Sequence, residues 1–235
     1  MATTKTPTDY HDRTREELYE LAQERDIEGR SEMSKDELVD ALELADIGPD
    51  AVTLLIAHHD RLRELFATFD GLSSRASKRK EDTVRELITI LVKHAEIEEQ
   101  VFYPAVREAI PDLADEVDED LEEHHAAELL LWELDHLAPD APRFDAKVKV
   151  LEELIVHHLD EEESDLFPRV REAMDETRRR ELGGAMETLW PVAPTRPHPL
   201  TPDTPPGNWL TGLPGTVLDL GVGGVRTLWR FVRRR

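Results

Sequence analysis

The stretch HAEIEEQVFYPAVREA, residues 94–109, returns as HLDEEESDLFPRVREA, residues 158–173. A histidine, a glutamate four residues later, an aromatic, a proline and the string Val-Arg-Glu-Ala stand in register in both. Residues four apart share one face of an α-helix. His94 and Glu98 therefore project side by side, as do His158 and Glu162. A chain that repeats a polar pair at helical spacing must fold so that both copies find a use for it.

The repeats lie within a run of four long helical patterns. The first spans about residues 49–69 and stops near Gly71. The second spans 77–109, with Pro104 bending or tightening its end, and the third starts at Pro111 or Leu113 and runs to Leu137. The fourth spans 142–174 and carries Pro168 near its end. No segment sustains period-2 alternation, so the chain reads as all-α. Long helices joined by short Pro- or Gly-bearing loops predict an up-down-up-down four-helix bundle.

The inward stripe of each helix is apolar at its ends and polar in its middle. The stripes read Val52, Leu55, His59, Leu62, Phe66; then Val84, Leu87, Leu91, His94, Glu98, Val101; then Val117, Leu121, His124, Glu128, Leu131; then Val148, Leu151, Ile155, His158, Glu162. This places His59, His94, Glu98, His124, Glu128, His158 and Glu162 at one height inside the bundle. An unpaired buried polar group costs roughly 2–7 kcal/mol, and a lone carboxylate more. Seven together would break the core unless cations neutralise and bind them. Two adjacent cations bridged by Glu98 and Glu162 explain why the motif is kept twice. The chain has no cysteine, which excludes thiolate sites, and mixed imidazole and carboxylate donors suit iron, manganese or zinc.

Of the doublets His58-His59, His124-His125 and His157-His158, the stripes select His59, His124 and His158. The other members face the surface or orient a ligand. Glu99 and Glu163 are expected in solvent or beside a ligand. Glu-x-x-His pairs at 122–125 and 133–136 lie on one helix, which rules out a ferritin-like pair of half-sites. Tyr103 and Phe167 are expected to pack in the core, with a role for Tyr103 near the metals as the weaker idea. Trp132, Leu62, Ile97 and Leu131 are expected to line an apolar pocket over the site.

With His59, His94-x3-Glu98, His124, His158-x3-Glu162 and the FYP and LFP triplets in this order, residues 50–175 resemble the hemerythrin-like, HHE cation-binding family. The resemblance implies a non-haem di-iron centre, two iron ions ahead of manganese or zinc, held by His59, His94, Glu98, His124, Glu128, His158 and Glu162. It implies binding of O2, NO or H2O2 at iron, with catalase-like peroxide decomposition as an enzymatic version. The alternative is a non-enzymatic iron or oxygen sensor, and a structural zinc site ranks third. Oxygen-carrying members have histidine where this chain has Glu128, and aspartate at their last bridging position. The richer carboxylate set is nearer to the bacterial members.

Residues 10–46 read as a small helix-turn-helix module that resembles the SAP and Rho N-terminal type, with Ser34 and Glu37 as a capping box. Such modules often bind nucleic acid, but residues 10–45 hold five basic and twelve acidic residues. That charge opposes phosphate binding and favours a protein partner. The bundle is assigned to 48–175, a short helical extension to 176–190, and a Pro-rich linker with a basic tail to 191–235. The tail could touch an anionic membrane, although its glycines weaken a helix. The net charge of -23 favours cations over nucleic acid. The opening residues carry no apolar run like that of a secretory signal, and no stretch approaches a membrane span, so a cytoplasmic protein is the expectation.

Overall fold

A computed structural model describes residues 10–199 except Asp26 and Ser74. Among the described residues all regular structure is helical. Four rods form the bundle. The first is α3 (Ala51–Asp70), and the second is α4 (Ser77–Ile97) continued by α5 (Tyr103–Ala109). The third is α6 (Ala114–Asp135), and the fourth is α7 (Phe144–Glu161) continued by α8 (Phe167–Ala173). α3 packs on α4, α4 on α6, α6 on α7, and α7 back on α3, which closes the ring. Asp50 starts α3 by accepting from the amides of Val52 and Thr53 at 3.0 and 3.2 Å. Two acids in the first turn of α6, Asp115 and Glu116, suit the positive end of its dipole.

The bundle has two apolar clusters rather than one. Val52, Leu55, Phe102, Val106, Val117 and Phe167 belong to one end. Leu62, Phe66, Leu87, Leu91, Leu131 and Ile155 belong to the other. Between them lies a layer of buried polar side chains, His59, His94, Glu98, His124, His158 and Glu162.

Both repeats contain a wide π-helical turn, Glu98–Phe102 and Glu162–Leu166. The Tyr103 amide bonds to the Glu98 carbonyl and the Phe167 amide to the Glu162 carbonyl, each five residues back. Pro104 and Pro168 follow directly. Proline has no N–H, and its ring crowds the carbonyl four residues back, so the preceding turn opens. The sequence places a disturbance at these prolines, and the structure shows that it takes the form of a turn beginning at each glutamate.

Before the bundle, α1 (Arg15–Glu24) and α2 (Lys35–Ile47) enclose their own cluster of Tyr10, Leu18, Ala22, Leu38, Val39 and Leu42. Both helices start with a reciprocal capping box, Ser34 with Glu37 as the sequence predicts, and also Thr14 with Glu17. After the bundle, α9 (Glu176–Leu189) folds back across the junction of α2 and α3. Its glycines permit the contact: a Cβ on Gly183 would lie 2.0 Å from the Pro49 carbonyl oxygen. Arg179 binds Asp50 at 2.6 Å and Arg180 donates to the Gly48 carbonyl at 2.9 Å, fixing the same junction. The basic tail lies outside the described residues.

Candidate metal centre

The polar layer draws on all four rods. α3 contributes His59, α4 His94, α6 His124 and α7 His158, while Glu98 and Glu162 open the two π turns. The donor atoms fall into two groups that share Glu98. In the first, atoms of His59, His94, Glu98 and Glu162 all lie within 4.8 Å of one another. In the second, Glu98, His124 and His158 do the same. His59 Nε2 stands 3.3 Å from Glu162 Oε2, and His94 Nε2 stands 3.3 Å from Glu98 Oε2. His124 Nε2 is 3.5 Å from Glu98 Oε2 and 3.1 Å from His158 Nε2.

Several of these atoms are buried with no hydrogen bond among the described residues: His59 Nε2, His94 Nε2, both oxygens of Glu98 and Oε2 of Glu162. Protein partners do not explain such a concentration. Cations do. Donors bound at about 2.0–2.2 Å from a shared ion lie within about 4.4 Å of each other, close to the separations seen. The imidazole and carboxylate donors therefore fit a pair of divalent cations.

The outward-facing nitrogens of the rings are held by carboxylates. His59 Nδ1 meets Glu163 Oε1 at 2.7 Å, His124 Nδ1 meets Glu99 Oε1 at 3.1 Å, and His158 Nδ1 meets Glu123 Oε2 at 2.9 Å. A carboxylate on Nδ1 fixes the ring orientation and leaves Nε2 as the donor to a metal. Arg63 strengthens one contact, donating to Glu163 at 2.8 Å while also binding Asp160 at 2.8 Å. His94 differs from the other three. Its ring stands edge-on to His58, which stacks on Trp190 at 4.3 Å, and Lys93 lies over the indole at 5.2 Å.

Burial and mutual repulsion set the protonation of the layer. Burial, then the neighbouring histidines, holds His94 well below the usual imidazole range. Burial, then the charge on His158, pushes His124 down to about 3. Burial also works against the charge on His158, but Glu162, the Glu123 hydrogen bond and Asp120 outweigh it and raise His158 to about 9. Burial, then the Glu162 carboxylate, drives Glu98 well above the carboxylate range. Glu162 goes the other way: burial would raise it, but His158 and His59 bring it below.

Six of the seven residues picked from sequence thus come together, and Glu128 does not. It is half-buried on α6, where its Oε1 accepts from the His198 amide at 2.5 Å and tethers the Pro-rich segment. One helical turn beyond His124, it has left the polar layer and reached the level of Leu131 in the second apolar cluster. Trp132 also departs from expectation: it is 46% exposed and stacks on His136 at 4.6 Å, while Leu62, Ile97 and Leu131 are buried. His58 is half-buried beside His94, and His125 and His157 are exposed. Three residues receive more weight from the structure than from the sequence. Tyr103 donates to Glu162 Oε1 at 3.1 Å and reaches His124 Nε2 at 3.5 Å. Glu123 and Asp120 approach His158, and Asp120 sits four residues before His124, a spacing that could have marked it.

The family model described as Hemerythrin HHE cation binding domain matches residues 50–170. The chain is 26% identical over 130 residues to an uncharacterized hemerythrin-like protein of Schizosaccharomyces pombe, covering 55% of this chain and 64% of that one. It is 28% identical over 113 residues to a protein of Nostoc sp. called DNA nickase, covering 48% of this chain and 31% of that one. The chain thus spans less than two thirds of each of these relatives. Among solved structures, a hemerythrin HHE cation-binding domain-containing protein from Mycobacterium kansasii shares the fold with a TM-score of 0.53 at 22% identity, covering 61% of this chain and 86% of that one.

Proposed function

This chain belongs to the hemerythrin HHE cation-binding family, and on that footing we propose that it is a non-haem di-iron protein acting on O2, NO or H2O2, with catalase-like decomposition of peroxide as its enzymatic form. His59, His94, Glu98 and Glu162 would hold one iron, and Glu98, His124 and His158 the other. The observation that carries the reading is the convergence of buried donor atoms with no protein partner, on two groups that share Glu98. When bound, a pair of irons supplies Lewis acidity and the redox capacity for such small ligands.

The chain's own residues prepare the place. Glu163, Glu99 and Glu123 hold three imidazoles with Nε2 facing inward. The apolar clusters on either side exclude bulk water, which strengthens every electrostatic contact between them. Burial, then Glu162, raises the Tyr103 hydroxyl well above the usual phenol range, so it stays protonated and donates to the Glu162 carboxylate. Tyr103 thereby offers a fixed O–H donor at the edge of the site.

A second reading, a non-enzymatic iron or oxygen sensor, is favoured by one contact. α9 is wedged by its glycines against the end of α2, and Trp190, which follows it, stacks on His58 next to His94. The helical pair at residues 10–46 would then engage a protein partner. The nickase activity in the Nostoc protein's name is not carried over, because the net charge of -23 opposes nucleic-acid binding.

Metal analysis of the purified protein together with its visible spectrum tests the proposal. Two irons per chain, with absorption bands that shift on adding azide, are expected. Zinc alone after growth with adequate iron would overturn it. Oxygen release from peroxide by the iron-loaded protein selects the enzymatic reading, and partner binding that follows iron occupancy without turnover selects the sensor.

A further inference from the structure

The groups of cation-binding side chains do not end at the buried centre. Glu123 and His158 form a further trio with Asp120, and Glu123 also forms a surface trio with His157 and Glu161, the donor atoms in each lying within 4.8 Å of one another. His157 and Glu161 are one turn apart on α7, with Nε2 and Oε1 at 3.5 Å and side chains 62% and 56% exposed. Each group shares one residue with the next. Glu123 joins the surface trio to the middle one, His158 joins the middle trio to the second buried group, and Glu98 joins the two buried groups.

Asp120 gives this succession an independent mark. It is only 6% exposed, its Oδ1 lies 3.6 Å from His158 Nδ1, and its Oδ2 is buried with no hydrogen bond among the described residues. A buried carboxylate oxygen without a donor is costly to keep, and a cation is a partner that would repay it. We propose that Glu123, His157 and Glu161 form a third, surface cation site from which divalent cations reach the buried pair past Asp120.

The proposal rests on the di-metal reading above. A cation captured at the surface would gain Asp120 before releasing His157 and Glu161. It would round the edge of the His158 ring, from the Nδ1 side to the Nε2 side, and meet Glu98 and His124. At every stage at least one carboxylate stays bound, so the ion is never stripped of its ligands. The acidic surface raises the local concentration of cations at the mouth.

The test uses the metal-depleted full chain mixed with cobalt(II), whose visible absorption reports binding to nitrogen and oxygen donors. Wild type is expected to take up two cobalt ions tightly and a third weakly by equilibrium dialysis. The double variant His157→Ala, Glu161→Gln, altered only at exposed positions, should lose the weak ion. It should also fill the buried pair about tenfold more slowly while reaching the same final tight occupancy. Asp120→Asn should keep the weak ion and slow the filling. Glu108→Gln, which removes an exposed charge outside all four groups, should change neither. Equal filling rates in wild type and the double variant, with full occupancy in both, would overturn the loading route alone and leave Glu123 as an orienting group. A rate loss of the same size in Glu108→Gln would also overturn it, by showing bulk charge at work. Failure of wild type to bind tight cobalt at all would remove the di-metal reading and this proposal together.

Discussion

Replacing Glu163 by alanine should weaken one of the two cations and spare the other. Glu163 Oε1 is 2.7 Å from His59 Nδ1 and receives Arg63 at 2.8 Å, so it fixes the direction of His59 Nε2. His59 belongs to the group with His94, Glu98 and Glu162 and is absent from the group of Glu98, His124 and His158. Loss of such an orienting carboxylate typically weakens binding by roughly 10–100-fold, or about 1.4–2.7 kcal/mol. The fold itself should hardly notice. The Arg63–Glu163 pair is 30% exposed on both sides, and pairs in that setting contribute about 0–1 kcal/mol. Titration of the metal-loaded protein with a chromophoric chelator should therefore become biphasic, with one cation released at lower chelator, while the urea midpoint of the metal-free protein stays nearly fixed. Glu163→Gln keeps an oxygen that accepts from Nδ1 and should recover most of the loss. Parallel weakening of both cations, or no change in either, would refute the assignment of His59 to a single subsite.

Metal uptake should release protons. His158, with a pKa of about 9, and Glu98, well above the carboxylate range, carry protons at neutral pH that their roles as donors would displace. About two protons per pair of cations are expected at pH 7, so affinity should rise with pH until His158 is already deprotonated above about 9; calorimetry in buffers of different ionisation enthalpy that finds no release would contradict this. Gly183→Ala drives a Cβ against the Pro49 carbonyl at 2.0 Å and should destabilise the chain by at least about 1–3 kcal/mol, seen as a lower urea midpoint with altered Trp190 fluorescence. Glu128→Gln should leave two cations per chain by metal analysis, because its carboxylate faces the His198 amide rather than the polar layer.

Much of this architecture is legible in the sequence because burial forces it to be. A helix stripe that is apolar at both ends and polar in the middle has few ways to pack, and the repeat marks which polar residues belong together. The same reasoning misplaces Glu128. It treats the third helix as a copy of the second and fourth, whereas α6 has no π turn and no following proline, and its next inward turn returns to apolar packing. Tyr103 is undervalued for a related reason. Regular winding puts it about 140° round the helix from Glu98, and only the opened turn brings both inward. Glu123 and Asp120 escape notice because an acid beside a histidine reads as solvated charge until the ring it holds is located. In the helical pair before the bundle, Thr14 and Glu17 repeat the spacing of Ser34 and Glu37, so that second capping box was readable from the residues.

The opened turns also set which changes of length this chain can absorb. Each carries a residue more than regular winding would need between its glutamate and its proline. A one-residue deletion at position 99 or 100 would let the helix close up, swinging Tyr103 outward and shifting everything downstream by a third of a revolution. An insertion there would do comparable harm in the opposite sense. Among related chains, gaps should therefore gather in connections such as residues 136–143 and avoid both stretches between glutamate and proline.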